Sequence, residues 1–332
     1  MNILVTGGAG YIGSHACKAL AIAGFTPIVF DNLSDGHEWA VRWGPLEVGH
    51  ITDSVRLGEV MRRYKPEAVL HFAGLIAVGD SVRNPEQYYR TNVVGSLCLL
   101  EAMHTERITT IIFSSSAAVY GNAEGDTIPE THPLNPINPY GMTKYITERM
   151  IADSAAAHGI IFACLRYFNA AGADPDGTIG EAHHPETHAI PLILGAALGR
   201  QPAFHVFGKD YQTPDGTAIR DYIHVNDVAQ AHLIALRHLM AGGTNLTFNV
   251  GSGTGYSVQE IITAVERISG KKVPVINEPR RTGDPARLVA DIKRAHEQLS
   301  WRTKCSLDDI IKTSLAWHQK PSARITNDKK QL

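Results

Sequence analysis

The chain has 332 residues, a formal net charge of −2 at pH 7 and 44% hydrophobic residues, which is typical of a globular protein with a large core. The near-neutral charge and the lack of long basic runs argue against binding to nucleic acid or to a membrane surface. The four cysteines are scattered, so neither a cysteine zinc site nor a disulfide framework is expected. Since we find no signal peptide and no apolar segment of about 18 residues, we expect a cytoplasmic protein.

The first 24 residues have the pattern of a strand, a glycine-rich turn and a helix. An apolar run at 3–6 is followed by Gly7, Gly10 and Gly13, and the segment 14–24 has the length and composition of a helix. Glycines at such positions allow a tight turn, close approach to a pyrophosphate and close helix packing. The helix N-terminus would offer free N–H groups to the anion. This pattern predicts a dinucleotide site, although a glycine turn alone is a weak signal.

An acidic residue follows the second predicted strand and indicates which dinucleotide binds. The apolar run 27–30 ends in Asp31, and an acidic residue about 20 positions after the turn binds the adenosine ribose hydroxyls. Asp31 would repel the 2′-phosphate of NADP, and no arginine follows until Arg42. The sequence therefore predicts NAD as the cofactor.

Strands and helices continue to alternate along the chain, which predicts an α/β fold with a Rossmann-type doubly wound parallel sheet. Further strands are predicted at 46–48, 68–72, 109–113, 160–165, 204–207, 247–250 and 273–275. Helices are predicted at 55–64, 85–104, 140–158, 191–198 and 258–268. We assign residues 1–169 to the NAD-binding domain and 170–332 to a smaller C-terminal α/β substrate-binding domain. Some segments of the second domain are expected to return to the first, and the polar tail at about 320–332 is expected to fray.

A candidate catalytic pair lies at the start of the predicted helix 140–158. Tyr140 and Lys144 are four residues apart and would face the same side. A tyrosine normally titrates near pH ~10, but a nearby lysine cation lowers that pKa and yields a base suited to deprotonating an alcohol. Such pairs are also common on solvated helix surfaces. Ser116 follows the strand 109–113 and is expected at the same sheet edge, where ligands bind.

Histidines in the polar loop 170–189 raise the question of a metal site. His183, His184 and His188 lie close to Glu181 in the sequence. Ligand types without a matching geometry prove little, and histidines are common in polar loops. We therefore predict no metal site.

These features resemble the extended short-chain dehydrogenase/reductase family and, within it, the UDP-sugar 4-epimerases. The resemblance spans about 1–318 and includes the glycine turn, Asp31 and the Tyr140-x-x-x-Lys144 motif. It also covers the segments 72–75, 88–95, 114–121, 165–169, 215–217, 220–225 and 279–285. It implies interconversion of UDP-glucose and UDP-galactose by NAD-dependent oxidation at C4 through a 4-keto intermediate. Tyr140 would be the base, Lys144 would tune it and hold the nicotinamide ribose, and Ser116 would bind the reacting oxygen.

The resemblance also implies the remaining site residues. The expected NAD-binding residues are Gly7, Gly10, Tyr11, Ile12, Gly13, Asp31, Asn32, Ile51, Phe72, Ala73, Gly74, Asn92, Ser114, Tyr140, Lys144 and Phe168. The expected UDP-sugar-binding residues are Ser116, Tyr140, Asn169, His188, Ala189, His205, Phe207, Arg220, Arg281, Asp284 and Leu288. The two arginines are suited to phosphates, because guanidinium groups bind them in a bidentate way. The family further implies a homodimer, in which the helices 85–104 and 140–158 pair across a two-fold axis.

Some positions depart from the family pattern, and alternatives follow from them. His50 replaces an aspartate that often contacts the adenine, and Asp53 is only a weak substitute. Leu288 stands where members restricted to glucose and galactose often carry tyrosine, so UDP-GlcNAc and UDP-GalNAc, or a UDP-pentose, are alternative substrates. Related 4,6-dehydratases and decarboxylases usually carry an acidic residue where this chain has Ala117 and Ala118. An NAD-sensing regulator on the same fold is the non-enzymatic alternative, but such proteins tend to lose the tyrosine–lysine pair.

Overall fold

Strands and helices alternate through the computed structural model, which describes residues 1–281 and 284–320. The strands are β1 (Asn2–Thr6), β2 (Thr26–Asp31), β3 (Leu46–Val48), β4 (Ala68–His71), β5 (Thr110–Ser116), β6 (Ile161–Tyr167), β7 (Asn169–Ala171), β8 (Phe204–Phe207), β9 (Ile219–His224), β10 (Leu246–Val250), β11 (Gly255–Ser257), β12 (Val275–Glu278) and β13 (Arg287–Leu288). The α-helices are α1 (Tyr11–Ile22), α2 (Ser54–Tyr64), α3 (Val78–Arg83), α4 (Pro85–Tyr88), α5 (Gly95–Thr105), α6 (Pro139–His158), α7 (Ala189–Ala197), α8 (Val225–Met240), α9 (Val258–Ser269), α10 (Lys293–Leu299) and α11 (Leu307–His318).

A seven-stranded sheet in the order β10-β6-β5-β4-β1-β2-β3 forms the centre of the described fold. All of its neighbouring strands are parallel. The chain runs outward from β1 through β2 to β3 and then crosses to β4 on the other side of β1. This reversal opens a crevice at the carboxyl ends of β1 and β4, which is where ligands bind in such sheets. The prediction of a doubly wound parallel sheet is confirmed.

Helices cover both faces of this sheet because successive side chains of a strand point to opposite sides. Ile3 and Val5 of β1 pack in one core cluster with Leu20 of α1 and residues of α8. Leu4, between them, packs in a second cluster with residues of α2, α5 and α6. Both faces are therefore buried, which agrees with the nearly continuous apolar runs of the strands.

The C-terminal part of the chain contributes two small sheets and also returns to the large one. β9 lies between β11 and β13 and also pairs with β7, while β8 pairs with β12. Helices α7, α9 and α11 share a core cluster beside these sheets. β10 joins the large sheet next to β6. The division at residue 169 stays a prediction, because the later chain takes part in both regions.

Several predicted elements differ from those in the structure. The strand expected at 273–275 is displaced: β12 spans Val275–Glu278, and the buried Val273 before it donates its N–H to Glu266 at 3.1 Å. The helix expected at 85–104 is interrupted by a π-helical segment, Tyr89–Val94. β9 and α8 were not predicted as elements. Residues 321–332 of the expected frayed tail lie outside the described residues.

Candidate active site

The glycine turn after β1 leaves no room for a side chain at Gly7 or Gly13. Gly7 has a φ of +73°, and a Cβ there would lie 2.6 Å from the backbone nitrogen of Ala73. A Cβ on Gly13 would lie 2.1 Å from the Gly7 carbonyl oxygen. Only glycine lets the turn approach β4 and α1 this closely. Gly10, the N-cap of α1, has no capping side chain, so the first N–H groups of α1 remain available for an anion. The turn therefore fits a dinucleotide pyrophosphate.

Asp31 lies at the carboxyl end of β2, where backbone groups hold its carboxylate. One oxygen accepts the N–H of Ala9 at 3.0 Å and the other accepts that of Leu33 at 2.9 Å. Burial raises the pKa of Asp31 above its ordinary value, and these two hydrogen bonds offset only part of that effect. The adjacent Asn32 is exposed and accepts a hydrogen bond from the Ser34 N–H. Each Asp31 oxygen keeps a lone pair for a ribose hydroxyl, which is the arrangement that NAD needs.

Asn92 fixes the loop that follows β4. Its amide accepts the Leu75 N–H at 2.8 Å and donates to the Leu75 carbonyl and the Thr143 hydroxyl, both at 3.0 Å. Gly74 passes so close that a Cβ would lie 3.0 Å from the Asn92 amide oxygen. These contacts tie the loop to α6 and use both amide N–H groups. Asn92 therefore fixes the position of the loop that borders the cofactor crevice.

The other expected NAD-binding residues make the following contacts in the structure. The Tyr11 hydroxyl donates to the Gly172 carbonyl at 2.7 Å, and Ile12 packs against the sheet core. The Phe72 ring lies 4.6 Å from the His232 ring, and Phe168 is buried. Ile51 is buried so close to Gly95 that a Cβ on Gly95 would meet it at 2.4 Å.

The two candidates for an adenine contact have other partners in the structure. His50 is exposed, and its ring lies 2.7 Å from the Thr52 hydroxyl. Asp53 is the N-cap of α2 and accepts the Arg56 N–H at 2.9 Å. Capping explains why a carboxylate stands at Asp53, so that residue needs no cofactor role.

The candidate catalytic side chains meet at the carboxyl end of β5. Asn138 caps α6 by accepting the Gly141 N–H at 2.8 Å, and this places Tyr140 in the first turn. Tyr140 is only 9% exposed and Lys144 only 4% exposed. The Lys144 ammonium donates to the Ser114 carbonyl at 2.8 Å and lies 5.8 Å from the centre of the Tyr140 ring. The pair is therefore buried rather than part of a solvated helix surface.

Burial controls the protonation of this pair. It raises the pKa of Tyr140, and the Ser116 side chain acts in the opposite direction. Burial is the larger of these two effects, so the net pKa of Tyr140 lies above its ordinary value, and the lowering expected from Lys144 stays a prediction. Burial also lowers the pKa of Lys144 to about 8, while the charge of Glu148 acts to raise it.

A buried ion pair between Glu148 and Arg166 lies next to the catalytic residues on α6, and the sequence analysis did not predict it. Glu148 lies one turn beyond Lys144 on α6 and accepts two Arg166 N–H groups at 2.6 and 2.9 Å. Glu148 also accepts the Ser115 hydroxyl, so the pair links α6 to β5 and β6. The available signal was an arginine inside the apolar run 160–167, since a charge in a buried strand needs a partner.

Several of the expected substrate residues form two groups on and beside the small sheets. In the first, Arg220 of β9 pairs with Asp284 and stands opposite Leu288 of β13. In the second, the Arg281 guanidinium lies 3.8 Å from the centre of the Phe207 ring. His205 stacks on Phe207 with 6.4 Å between ring centres and lies 2.9 Å from a Glu278 oxygen. Each group therefore presents one arginine, and among the residues that the structure describes an aromatic ring, not a carboxylate, contacts the Arg281 guanidinium.

Three expected substrate residues lie apart from these groups. Asn169 opens β7 opposite Tyr222 and has an exposed side chain. His188 is the N-cap of α7, with its ring bonded to Glu181, and Ala189 is the first residue of that helix.

The fold and the buried tyrosine–lysine pair define a class of dinucleotide-dependent enzymes that act on alcohols. The family model described as "NAD dependent epimerase/dehydratase family" matches residues 3–251. A UDP-glucose 4-epimerase from Rhizobium leguminosarum bv. trifolii is 51% identical over 319 residues, covering 96% of this chain and 98% of that protein. The chain belongs to the NAD dependent epimerase/dehydratase family.

Solved structures agree with this assignment. UDP-glucose 4-epimerase from Brucella ovis in complex with NAD is 52% identical, with a TM-score of 0.93 and coverage of 95% of this chain and 97% of that one. The enzyme from Stenotrophomonas maltophila, with bound NAD and formylated UDP-arabinopyranose, is 41% identical, with a TM-score of 0.93 and coverage of 96% and 97%. The predictions of an epimerase-family enzyme and of NAD as cofactor are confirmed. No helix in the described part of the chain has both the length and the apolar character for crossing a membrane.

Proposed function

We propose that this protein interconverts UDP-glucose and UDP-galactose by reversible oxidation at C4 of the sugar. The observation that carries the proposal is the burial of Tyr140 and Lys144 beside Ser116, next to a turn that fits NAD. Relatives that bear this activity in their names match nearly the whole chain.

We propose a task for each of these residues. Tyr140 accepts the proton of the C4 hydroxyl and later returns it, and Ser116 binds the same sugar oxygen. Lys144, held by the Ser114 carbonyl, keeps a positive charge near the tyrosine and binds the nicotinamide ribose. When bound, oxidised NAD supplies a hydride acceptor and a positive charge on its nicotinamide ring.

The arginines anchor the substrate while the sugar turns over. Arg220 lies on β9 and Arg281 lies in the loop after β12, over the Phe207 ring of β8, and both suit the two phosphates of the UDP group. Because the diphosphate stays bound, the 4-keto sugar can rotate without leaving the site and present its other face. Asp284 holds Arg220 in position by an ion pair.

The proposed reaction is tested by incubating the purified protein with UDP-galactose and identifying the product by proton NMR. We expect UDP-glucose, with no added reductant or oxidant. A 4-keto-6-deoxy product would instead indicate a dehydratase, which the uncharged Ala117 and Ala118 disfavour. Absence of any turnover with NAD bound would favour the NAD-sensing regulator.

Cofactor choice provides one prediction. Apoprotein reconstituted with NADP is expected to bind it at least about 100-fold more weakly than NAD, because the 2′-phosphate would meet the Asp31 carboxylate. Calorimetric titration of both cofactors measures this ratio. Asp31→Asn removes the charge and keeps a similar shape, so it should reduce the difference in affinity between NAD and NADP. Equal affinity of the wild type for both cofactors would refute the role of Asp31.

Substrate breadth provides another prediction. Leu288 is half-buried, lies opposite Arg220 and packs in a cluster with Phe168. A leucine leaves more room than a tyrosine, so we expect UDP-GlcNAc and UDP-GalNAc to be interconverted as well. Leu288→Tyr should lower this activity at least about tenfold, and more than it lowers activity on UDP-galactose. Leu288→Met serves as the control of similar volume. If the wild type does not act on acetamido sugars, another wall closes the pocket.

We also propose a homodimer formed through α5 and α6, with a location in the cytoplasm. Apolar side chains near these helices are exposed: Val82 to 63%, Val94 to 45% and Leu97 to 45%. Exposed apolar residues on these neighbouring segments favour association with another protein surface. Light scattering coupled to size-exclusion chromatography measures the mass, and Leu97→Glu should shift it toward the monomer.

A further inference from the structure

We propose that Glu181, His183, Glu186 and His188, in the loop between β7 and α7, form a binding site for a zinc ion. One ligand atom from each of these residues lies within 4.8 Å of the others. Tyr140, Lys144 and Ser116 are not part of this cluster, although His188 is also an expected substrate residue. The sequence predicted no metal site because it gives no distances between these side chains.

Two of the distances within the cluster are close to those between neighbouring ligands of a metal ion. The His183 Nδ1 atom lies 3.2 Å from Glu181 Oε1 and 3.7 Å from Glu186 Oε1. The His188 Nδ1 atom contacts the same Glu181 oxygen more closely than two ligands of one ion would, so these two side chains must separate to admit the metal. In tetrahedral zinc sites with bonds of about 2.0–2.2 Å, neighbouring ligand atoms are about 3.3–3.6 Å apart. The side chains therefore already converge on one point.

Hydrogen bonding within the cluster leaves one ligand atom without a partner. The His183 Nδ1 atom is buried and makes no hydrogen bond of acceptable geometry to any described residue, although it lies within ion-pair distance of two carboxylates. A buried polar atom without a hydrogen bond is costly and needs an explanation. A shared metal ion would explain the missing hydrogen bond, because the His183 nitrogen would then bind the ion.

Surrounding contacts hold the ligands from several directions, as is typical of metal sites. Glu186 Oε1 accepts the N–H groups of Thr187 at 2.7 Å and His188 at 2.9 Å. The Glu181 carbonyl accepts the Trp317 indole N–H from α11 at 2.7 Å. Glu181 is almost fully buried, but the His188 side chain is 42% exposed and leaves a route for the ion to enter.

The ligand set selects the kind of ion. Two imidazole nitrogens and two carboxylates suit zinc and similar transition metals, whereas magnesium and calcium prefer oxygen ligands alone. Binding would also fix the loop against the glycine turn, because the His183 ring packs edge-on against Tyr11 with 6.2 Å between ring centres. Metal binding would thus make the loop between β7 and α7 more rigid where it borders the NAD crevice.

The test uses the full-length, NAD-loaded protein, dialysed against a chelator and then titrated with zinc chloride by calorimetry. We expect one zinc per chain, and at least about tenfold weaker binding in Glu186→Gln and in His183→Gln. His184→Gln is the matched control, since His184 is an exposed histidine of the same loop outside the cluster. Its zinc affinity should equal that of the wild type.

A second measurement does not depend on how the variants fold. Cobalt added to the wild-type protein should give the intense visible absorption of a four-coordinate site, and stoichiometric zinc should abolish it. The proposal is overturned if no such absorption develops, or if correctly folded His183→Gln binds zinc as tightly as His184→Gln. In that case the histidines serve only as hydrogen-bonded counter-charges of the two glutamates.

Discussion

Replacing Tyr140 with phenylalanine is expected to lower kcat for UDP-galactose about 10²–10⁴-fold while NAD stays bound. The change removes only the hydroxyl that would exchange a proton with the sugar. The aromatic ring, which is 9% exposed, keeps its packing, so the fold and the cofactor crevice should survive. Steady-state assays give kcat, and the absorption spectrum of the purified variant reports the bound cofactor.

A nearby tyrosine supplies the control for this experiment. Tyr145 lies on the same helix, is partly buried and packs in a cluster with Ile128 and Leu134. Tyr145→Phe loses the same atom and should retain kcat within about threefold, as is usual for changes away from a site's functional groups. If Tyr140→Phe is no more impaired than Tyr145→Phe, another group is the base.

The parts of the site that the sequence predicted are those encoded by local spacing. The glycine turn, the acidic end of β2 and the Tyr140–Lys144 pair each depend on residues within one strand–turn–helix unit or one helical turn. Their element boundaries shifted by only a few residues, as with α6, which begins at Pro139. Such patterns survive folding because the local backbone fixes which side chains share a face.

Features that depend on long-range pairing were not predictable in the same way. The Tyr120 hydroxyl donates to Asn249 across a sequence separation of 129 residues. β7 and β13 have three and two residues, which is too few to show a period, and both are positioned by β9. The histidine–glutamate cluster lies in a loop without periodicity, so its convergence is visible only in three dimensions.

The protonation of Tyr140 shows a different limit. Four-residue spacing predicts that a lysine is near, but it contains no information on burial. In the structure, burial raises the pKa of Tyr140 and lowers that of Lys144. Burial is the largest effect on both groups, and burial cannot be read from the spacing.

The buried ion pair behind the site leads to the second large expected effect. Replacing Arg166 with methionine should lower the free energy of unfolding by about 3–5 kcal/mol, because Glu148, only 8% exposed, would keep its charge without a counter-ion. Urea denaturation at fixed protein concentration measures the change. Arg149→Met is the matched control on α6: its pair with Asp153 is exposed on both sides, so it should cost less than about 1 kcal/mol.

Removing both charges separates the ion pair from simple loss of packing. The double variant Glu148→Met with Arg166→Met should be more stable than Arg166→Met alone, because no unpaired buried charge remains and the methionines fill much of the space. Its kcat should still fall, since the pair links α6, which carries Tyr140, to the strand that carries Ser116. If Arg166→Met loses no more stability than Arg149→Met, water or another group must compensate Glu148, and the pair would not hold these two elements together.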